Sequence, residues 1–548
     1  MIGVIAGSVD HWAVREFFEL FKTPWEFYQP GRRYDVVLCS GGANLESVDA
    51  RLYLIFSGGK TAFDADHGIQ IQSRLNGGEL SAFGSSFPIY GEILTFQNTG
   101  AAMHVSRSGE TVIVRVGFDL FREVETLLVK GQPVRYAAVP TLEQHIDLIR
   151  NLISEYGIPF VEIPPAPDGS EFIVCLTHDL DHPLIRNHKF DATMFGFLYR
   201  ATVGSAINLG RGRMSASKVL KNWLAVAKLP FVHLGLAEDI WYQFDRYVDL
   251  EQGRPSTFFV IPFAGSPGRR SSRGSAPRNR ATAYDISDIA PKILRLRAAG
   301  KEIGLHGIDA WFETDHAREE ANRISEFAPN PELGVRMHWL YNDENSPAVL
   351  EAAGFSYDST FGYNETVGYR AGTMQAYRPA CATRLLELPM HVMDTALFYP
   401  SYLDFSEETA WEYLQPFFDS AVRFGGALTI NWHDRSIAPE RLWGDFYVRM
   451  LGELSRRGAS FSTASQAVSW FRKRRSVVFE RSGSDAKTLR ATVQYPAGDG
   501  VPPLRLRFHN GSKSHTDVSF EGSVELDAHS LLPDRITVLN DLGGAING

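Results

Sequence analysis

The hydrophobic positions of this chain fall into three successive patterns. Over residues 1–165, short apolar runs alternate with stretches of helical spacing. Residues 1–6 and 34–40 read as buried strands, and 52–56 and 111–116 as further strand-like runs. Residues 10–22 carry Trp12, Val14, Phe17, Phe18, Leu20 and Phe21, and 141–156 carry Leu142, Ile146, Leu148, Ile149 and Ile153. Apolar recurrence every three to four residues marks a helix with one buried stripe. Strands alternating with helices predict an α/β domain over 1–165. Gly41-Gly42 follows a strand, but no G-x-G-x-x-G is present, so no dinucleotide site is inferred. Ile163-Pro164-Pro165-Ala166-Pro167 forms a stiff connector.

In the second pattern, residues 170–475, buried strands end in polar, metal-capable side chains. The first is Phe172-Ile173-Val174-Cys175-Leu176-Thr177-His178-Asp179-Leu180-Asp181-His182. Side chains alternate along a strand, so Thr177, Asp179 and Asp181 point to one side. Two carboxylates there repel unless a cation or shared proton holds them. A helical stretch follows over about 185–250, rich in Phe, Trp, Leu and basic residues. It reads as a covering for the strands or a partner contact. A membrane-surface helix pair is the alternative, against which stands the lack of a clean polar face. Residues 254–261 form a second strand. The Arg-rich loop 265–280 reads as a solvated flap able to steer an anion. Helix 285–299 then leads to strand 301–306, which ends in His306. In the third pattern, 476–548, short alternating runs are separated by Gly, Asn, Asp and Pro. They predict a small β-sandwich-like module, and the basic run Arg472-Lys473-Arg474-Arg475 before it reads as a solvated helix end.

Composition narrows the class. A chain of 548 residues with 44% hydrophobic and 22% charged residues is globular and multidomain. A net charge of −9 gives no general affinity for nucleic acid. Cys39, Cys175 and Cys381 are too few and scattered for a disulfide framework. The first residues lack a basic n-region and a long apolar run, and no stretch of about 18 apolar residues occurs, so no signal peptide or transmembrane helix is expected and the location reads as cytoplasmic.

The order of motifs carries a resemblance. T-H-D-L-D at 177–181, S-T-F-F-V at 256–260, E-I-G-L-H-G at 302–307, V-R-M-H-W at 335–339, G-F-S-Y-D-S-T at 354–360 and L-T-I-N-W-H at 428–433 resemble, in sequence, the motifs of the polysaccharide deacetylase family (NodB-homology, carbohydrate esterase 4). The H-D-x-D form of the first motif, and Tyr369-Arg370-Ala371-Gly372 later, resemble a divergent branch. The resemblance implies a distorted (β/α) barrel over 170–475 with its site at the strand C-termini. It implies a metal-dependent hydrolase of C–N bonds, removing an N-acetyl or other acyl group from an amino sugar or glycan precursor, with Zn²⁺ as the expected metal.

The implied roles map residue by residue. Asp179 is the base, Asp181 and His306 are metal ligands, His433 is the general acid, and Arg336 orients Asp179 by a bidentate contact. Asp358 supports His433 or Arg336. Arg370, Trp432 and Tyr363 are candidate substrate contacts, and His391 and Asp394 are either site residues or ordinary loop polarity. Two departures stand out: Leu180 separates the usual adjacent aspartates, and Ala310 occupies the place of the second motif histidine. The third ligand then falls to His338, with Asp309 as the alternate. The substrate is a carbohydrate, with anionic, nucleotide-linked or lipid-linked forms open. A non-catalytic glycan-binding or assembly protein on a decayed barrel, and a hydrolase of non-sugar amides, are the competing readings.

Overall fold

The computed structural model describes residues 1–41, 48–97, 100–271, 274–482, 488–496, 500–511, 514–527 and 537–539. The chain divides by packing into two units rather than three consecutive segments. One comprises Met1–Gly169, Ala371–Ala380 and Ser469–Gly548; the other comprises Ser170–Arg370 and Cys381–Val468.

The first unit is built on a sheet whose core strands, Ile2–Ile5, Tyr34–Ser40, Ala50–Phe56 and Thr111–Val116, run parallel. Its C-terminal strands do not stand apart. Leu504–His509 pairs antiparallel with Phe160–Glu162, so residues on either side of the barrel sequence share one sheet. The basic run at 472–475 also departs from expectation. Arg474 is 1% exposed and donates to the carbonyls of Glu19, Leu20 and Ile163 and to Gln375 Oε1. Arg475 pairs with buried Glu16 at 2.7 Å. The Arg474 guanidinium closes off backbone carbonyls inside the unit and the Arg475 guanidinium meets both oxygens of Glu16, uses that need Arg's five-donor fork and not merely its charge.

The second unit is a curled parallel sheet. Its strands in chain order are β1 (Phe172–Leu180), β2 (Thr257–Val260), β3 (Glu302–Gly307), β4 (Gly334–Met337), β5 (Tyr357–Asp358), β6 (Leu386–Glu387), β7 (Val392–Met393), β8 (Ala427–Asn431) and β9 (Ala459–Ser462). In space the order is β6-β5-β4-β3-β2-β1-β8-β7, with β9 also on β1. Four residues separate β6 from β7, yet β6 pairs with β5 and β7 with β8. That short segment therefore carries the sheet back onto itself, and the result is the distorted (β/α) barrel that the order of motifs implies. Every paired strand is parallel, so all C-terminal ends gather at one mouth. Strands β1 to β8 are buried along their whole length, which explains the near-continuous apolar runs of the longer ones. The helical insertion leaves from this mouth, directly after β1, as helices Ala192–Tyr199, Ser205–Gly210 and Ala216–His233. No helix among the described residues is long and apolar enough to cross a membrane.

Gly334 opens β4 because nothing larger fits there. A Cβ at this position would lie 1.9 Å from Tyr357 Cζ on β5, and that ring is fixed by its hydroxyl donating to Glu302 Oε1 at 2.9 Å. Gly334→Ala should cost about 2–3 kcal/mol by overpacking. A urea midpoint within error of the wild type would show that the barrel wall yields there.

Candidate active site

The site starts at the end of β1. Thr177 and Asp179 do point to one side, and both meet Arg336, which rises from the neighbouring end of β4. Arg336 is fully buried. Its Nη1 donates to Thr177 Oγ1 at 2.7 Å and to Asp179 Oδ1 at 3.1 Å. Its Nε and Nη2 donate to the carbonyl and hydroxyl of Ser359 at 3.0 and 2.9 Å. The contact with Asp179 is thus single, not the bidentate one expected, because the other guanidinium edge is taken by Ser359. The second carboxylate oxygen, Oδ2, accepts from Asn431 Nδ2 at 2.7 Å. Burial opposes the charge on Asp179, but Arg336, His306 and His433 outweigh it and hold the carboxyl below its ordinary pKa.

Beside Asp179 three ligand-capable atoms converge: Asp181 Oδ1, His306 Nε2 and His338 Nδ1. His306 Nε2 lies 3.3 Å from Asp181 Oδ1, His338 Nδ1 lies 3.2 Å from it, and the two ring nitrogens are 3.0 Å apart. The opposite ring nitrogens face backbone carbonyls: His306 Nδ1 the oxygen of Arg336 at 2.9 Å, and His338 Nε2 the oxygen of Arg280 at 3.1 Å. A carbonyl only accepts, so each of these nitrogens carries the proton. In the neutral rings, His306 Nε2 and His338 Nδ1 are then both bare. Burial, the largest influence on His338, disfavours its imidazolium. Two lone pairs and a carboxylate oxygen thus face one another, and Asp181 Oδ1 has no hydrogen-bond partner. These three groups could hold a metal ion, with the outer carbonyls fixing the ring tautomers.

Arg280, read from sequence as one of several arginines in a solvated flap, is the support of this cluster. It is fully buried, its Nη2 donates to the carbonyls of His338 and Ile308 at 2.9 and 3.1 Å, and its own carbonyl fixes the His338 ring. Arg273 of the same loop lies outside the described residues. Trp339 and Leu340, directly after His338, adopt φ of 58° and 54°, a left-handed pair costly for large side chains. Asn364 Nδ2, donating to the Trp339 carbonyl at 3.0 Å, helps hold it.

On the far side stands His433, after β8. Its Nδ1 meets Asp394 Oδ1 at 2.6 Å, and its backbone N–H donates to Asp394 Oδ2 at 2.7 Å. Asp394 also accepts from the Ser436 hydroxyl. His433 Nε2 is left facing the cluster, 3.8 Å from Asp181 Oδ2. Burial works against its imidazolium, but Asp394, Asp181 and Asp179 overcome it and raise the pKa to about 10.

Other expected residues stand elsewhere. Asp309 Oδ1 accepts the Arg269 backbone N–H at 2.7 Å and is not one of the three converging groups. Asp358 supports neither His433 nor Arg336. It faces Glu387 across β5 and β6; burial raises both carboxyls, Asp358 to about 6, and the charge of Asp358 raises Glu387 further, while hydrogen bonds from Thr360 and Glu387 work against the rise at Asp358. Arg370 donates to the Gly362 carbonyl at 2.9 Å and lies over the Phe361 ring, which fits a loop-holding role. Trp432 is fully buried, stacked on Phe446. Tyr363 is buried as well, and His391 accepts the Thr429 backbone N–H within the sheet. The cavity over the cluster, about 120 Å³, is walled instead by Trp339, Asn364, Thr395, Tyr399 and Tyr402.

No family model and no curated protein sequence matches this chain. Solved structures with a similar barrel include a protein assigned as a polysaccharide deacetylase from Mycobacterium smegmatis, 20% identical over 57% of this chain and 95% of that one, with a TM-score of 0.34. PuuE allantoinase is 16% identical over 56% of this chain and 92% of its own, at 0.33. A protein assigned as a polysaccharide deacetylase from Pseudomonas aeruginosa PAO1 is 14% identical over 58% and 95%, at 0.34. At these values the likeness is one of fold, and the barrel assignment stands on its own strand order.

The Asp358–Glu387 pair gives a test of site electrostatics. A buried acid with a raised folded pKa costs nothing at pH values below its unfolded pKa, and its cost grows as pH rises toward the folded value. Glu387→Gln keeps an oxygen for the Phe361 N–H that Glu387 Oε1 accepts at 2.8 Å. It should stabilise the protein by on the order of 1 kcal/mol at pH 8 and have little effect at pH 4. Urea denaturation at both pH values measures this, and a pH-independent effect would exclude the shared-charge account.

Proposed function

We propose that this chain is a metal-dependent deacylase that hydrolyses the amide of an N-acetylated, or otherwise N-acylated, amino sugar. The observation that carries the reading is the meeting of bare His306 Nε2, bare His338 Nδ1 and unpartnered Asp181 Oδ1, with Asp179 on one side and a proton-bearing His433 on the other. The donor set fits Zn²⁺. Two imidazole nitrogens and one carboxylate oxygen, 3.0–3.3 Å from one another, are the ligand types that would hold such an ion. Ala310 in place of a motif histidine leaves the set complete, because His338 arrives from the next strand.

A divalent cation held there supplies an acidified water and a Lewis acid for the acyl carbonyl. The chain's own groups do the rest. Asp179, ionised and clamped by Arg336 and Asn431, presents Oδ2 toward the cluster, 3.8 Å from His306 Nε2, and takes a proton from the attacking water. His433 holds a proton on Nε2 and delivers it to the nitrogen as the C–N bond breaks. One water is consumed, and a carboxylic acid and an amine are released. Trp339, Tyr399 and Tyr402 offer ring faces suited to the apolar side of a sugar.

Elemental analysis of the purified chain should find one zinc per molecule, lost in Asp181→Ala, His306→Ala and His338→Ala. Acetate release from N-acetylated amino sugars should fall at least 100-fold in these variants. No bound metal, with no release after zinc addition, would refute the proposal. Release from non-sugar amides alone would redirect the substrate.

The pH dependence has a defined sign. Burial opposes the charge on His433 and Asp394 overcomes it, so the acid is lost only as pH rises through a raised pKa. The alkaline limb of kcat should therefore report His433. Asp394→Asn removes its largest support and should shift that limb to lower pH, with kcat reduced by about 100-fold. An unmoved limb would assign the acid to another group.

A further inference from the structure

The helical insertion after β1 carries two apolar stripes per helix where one suffices. Met194, Phe197, Ala201 and Ser205 face inward, with Met194, Phe197 and Ala201 in the core shared with Ala225, Leu229 and Val232. Phe195, Tyr199, Val203 and Ile207, each four residues on, face solvent. In Ala216–His233 the buried residues are Val219, Asn222, Ala225, Leu229 and Val232. A second stripe, Leu220, Trp223, Leu224 and Phe231, is exposed, with Trp223 at 51% and Leu224 at 54%. Twelve of the 21 exposed large apolar side chains among the described residues lie between Phe190 and Leu236. Such a concentration is a surface awaiting an apolar partner, not scattered exposure.

Charge identifies the partner. From residue 192 to 237 the sequence holds Arg200, Arg211, Arg213, Lys218, Lys221 and Lys228 and no acidic residue, although the whole chain carries −9. Arg200, Arg213 and Lys218 pair with Glu440, Asp404 and Glu407 and so anchor the insertion to the barrel. Arg211, Lys221 and Lys228 have no ion pair among the described residues. Lys221 and Lys228, seven residues apart, flank the exposed stripe and line a groove with Leu224 and Ile240 on its wall and Asp445 as its acid. An isologous contact with a second copy would set these cations against themselves.

We propose that this insertion is a docking surface for an anionic lipid bilayer. The apolar stripes enter the headgroup boundary, and Arg211, Lys221 and Lys228 meet lipid phosphates. The proposal uses none of the site chemistry and stands or falls apart from it.

The test is co-sedimentation of the full chain with vesicles of phosphatidylcholine alone or mixed with phosphatidylglycerol. The wild type should pellet with the mixed vesicles and be released by about 1 M salt, where the Debye length falls to about 3 Å. Two variants should stay in solution while keeping the wild-type circular dichroism and melting temperature. They are Arg211→Glu/Lys221→Glu/Lys228→Glu and Trp223→Ser/Leu224→Ser/Phe231→Ser. Charge reversal should lower partitioning by at least about 100-fold. A wild type that stays in the supernatant with both vesicles would overturn the proposal, as would pelleting unchanged in both variants. A solution dimer dispersed by the serine variant would assign the stripes to a second copy instead.

Discussion

A fully buried guanidinium at the mouth of the barrel sets the terms for everything around it. Arg336 has no water, so its charge must be met by fixed partners, and only one of them, Asp179, is an anion. Removing either member would leave an uncompensated buried charge, a far larger cost than the pair's net contribution. The pairing also joins three strands: Thr177 and Asp179 on β1, Arg336 on β4, and Ser359 just after β5. The ionised state of Asp179 is thus a structural necessity, whatever chemistry the site performs. The same contact fixes which carboxylate oxygen turns toward the metal-capable cluster.

The cluster itself obeys a complementary constraint. Lone pairs facing lone pairs in a buried site are unfavourable, and the fold could have avoided this by letting either histidine turn its protonated nitrogen inward. It does not, because the carbonyls of Arg336 and Arg280 occupy the outward nitrogens. Arg280 in turn holds the carbonyl of His338, and the left-handed pair Trp339 and Leu340 lets the chain leave β4 in the required direction. The lone pairs of the two rings are thereby turned toward Asp181, while His433 across the site, its Nε2 3.8 Å from Asp181 Oδ2, sets its Nδ1 against Asp394.

The barrel was legible because its strands are buried on both faces and end in polar residues, a pattern that survives without knowledge of pairing. The side on which Thr177 and Asp179 fall followed from period-two alternation alone. What the sequence withheld depends on contacts between distant segments. Asn431 ends β8 two residues before His433, so its side could have been inferred, but its partner Asp179 could not. Arg280 looks like its neighbours in an arginine-rich loop, and Glu387 like any strand-end acid, until β5 and β6 pair and force it against Asp358. Trp432 shows the converse error: it sits inside a motif ending in a site residue, yet alternation turns it away from Asn431 and His433 and into the core. The stiff, proline-rich connector at 163–167 reads locally as a boundary, whereas the antiparallel pairing of Phe160–Glu162 with Leu504–His509 joins segments far apart in sequence and leaves no local signal.

The insertion follows the same logic at the barrel mouth. Its inner stripes satisfy the packing of a covering element, so its outer stripes are not needed for folding and expose surface that folding alone would select against. Their anchors, Glu440 after His433 and Asp404 two residues beyond Tyr402, belong to the segments that frame the cavity. The insertion is thus tied by ion pairs to the two segments whose side chains wall the cavity, while its apolar stripes stay outside the core that fixes it.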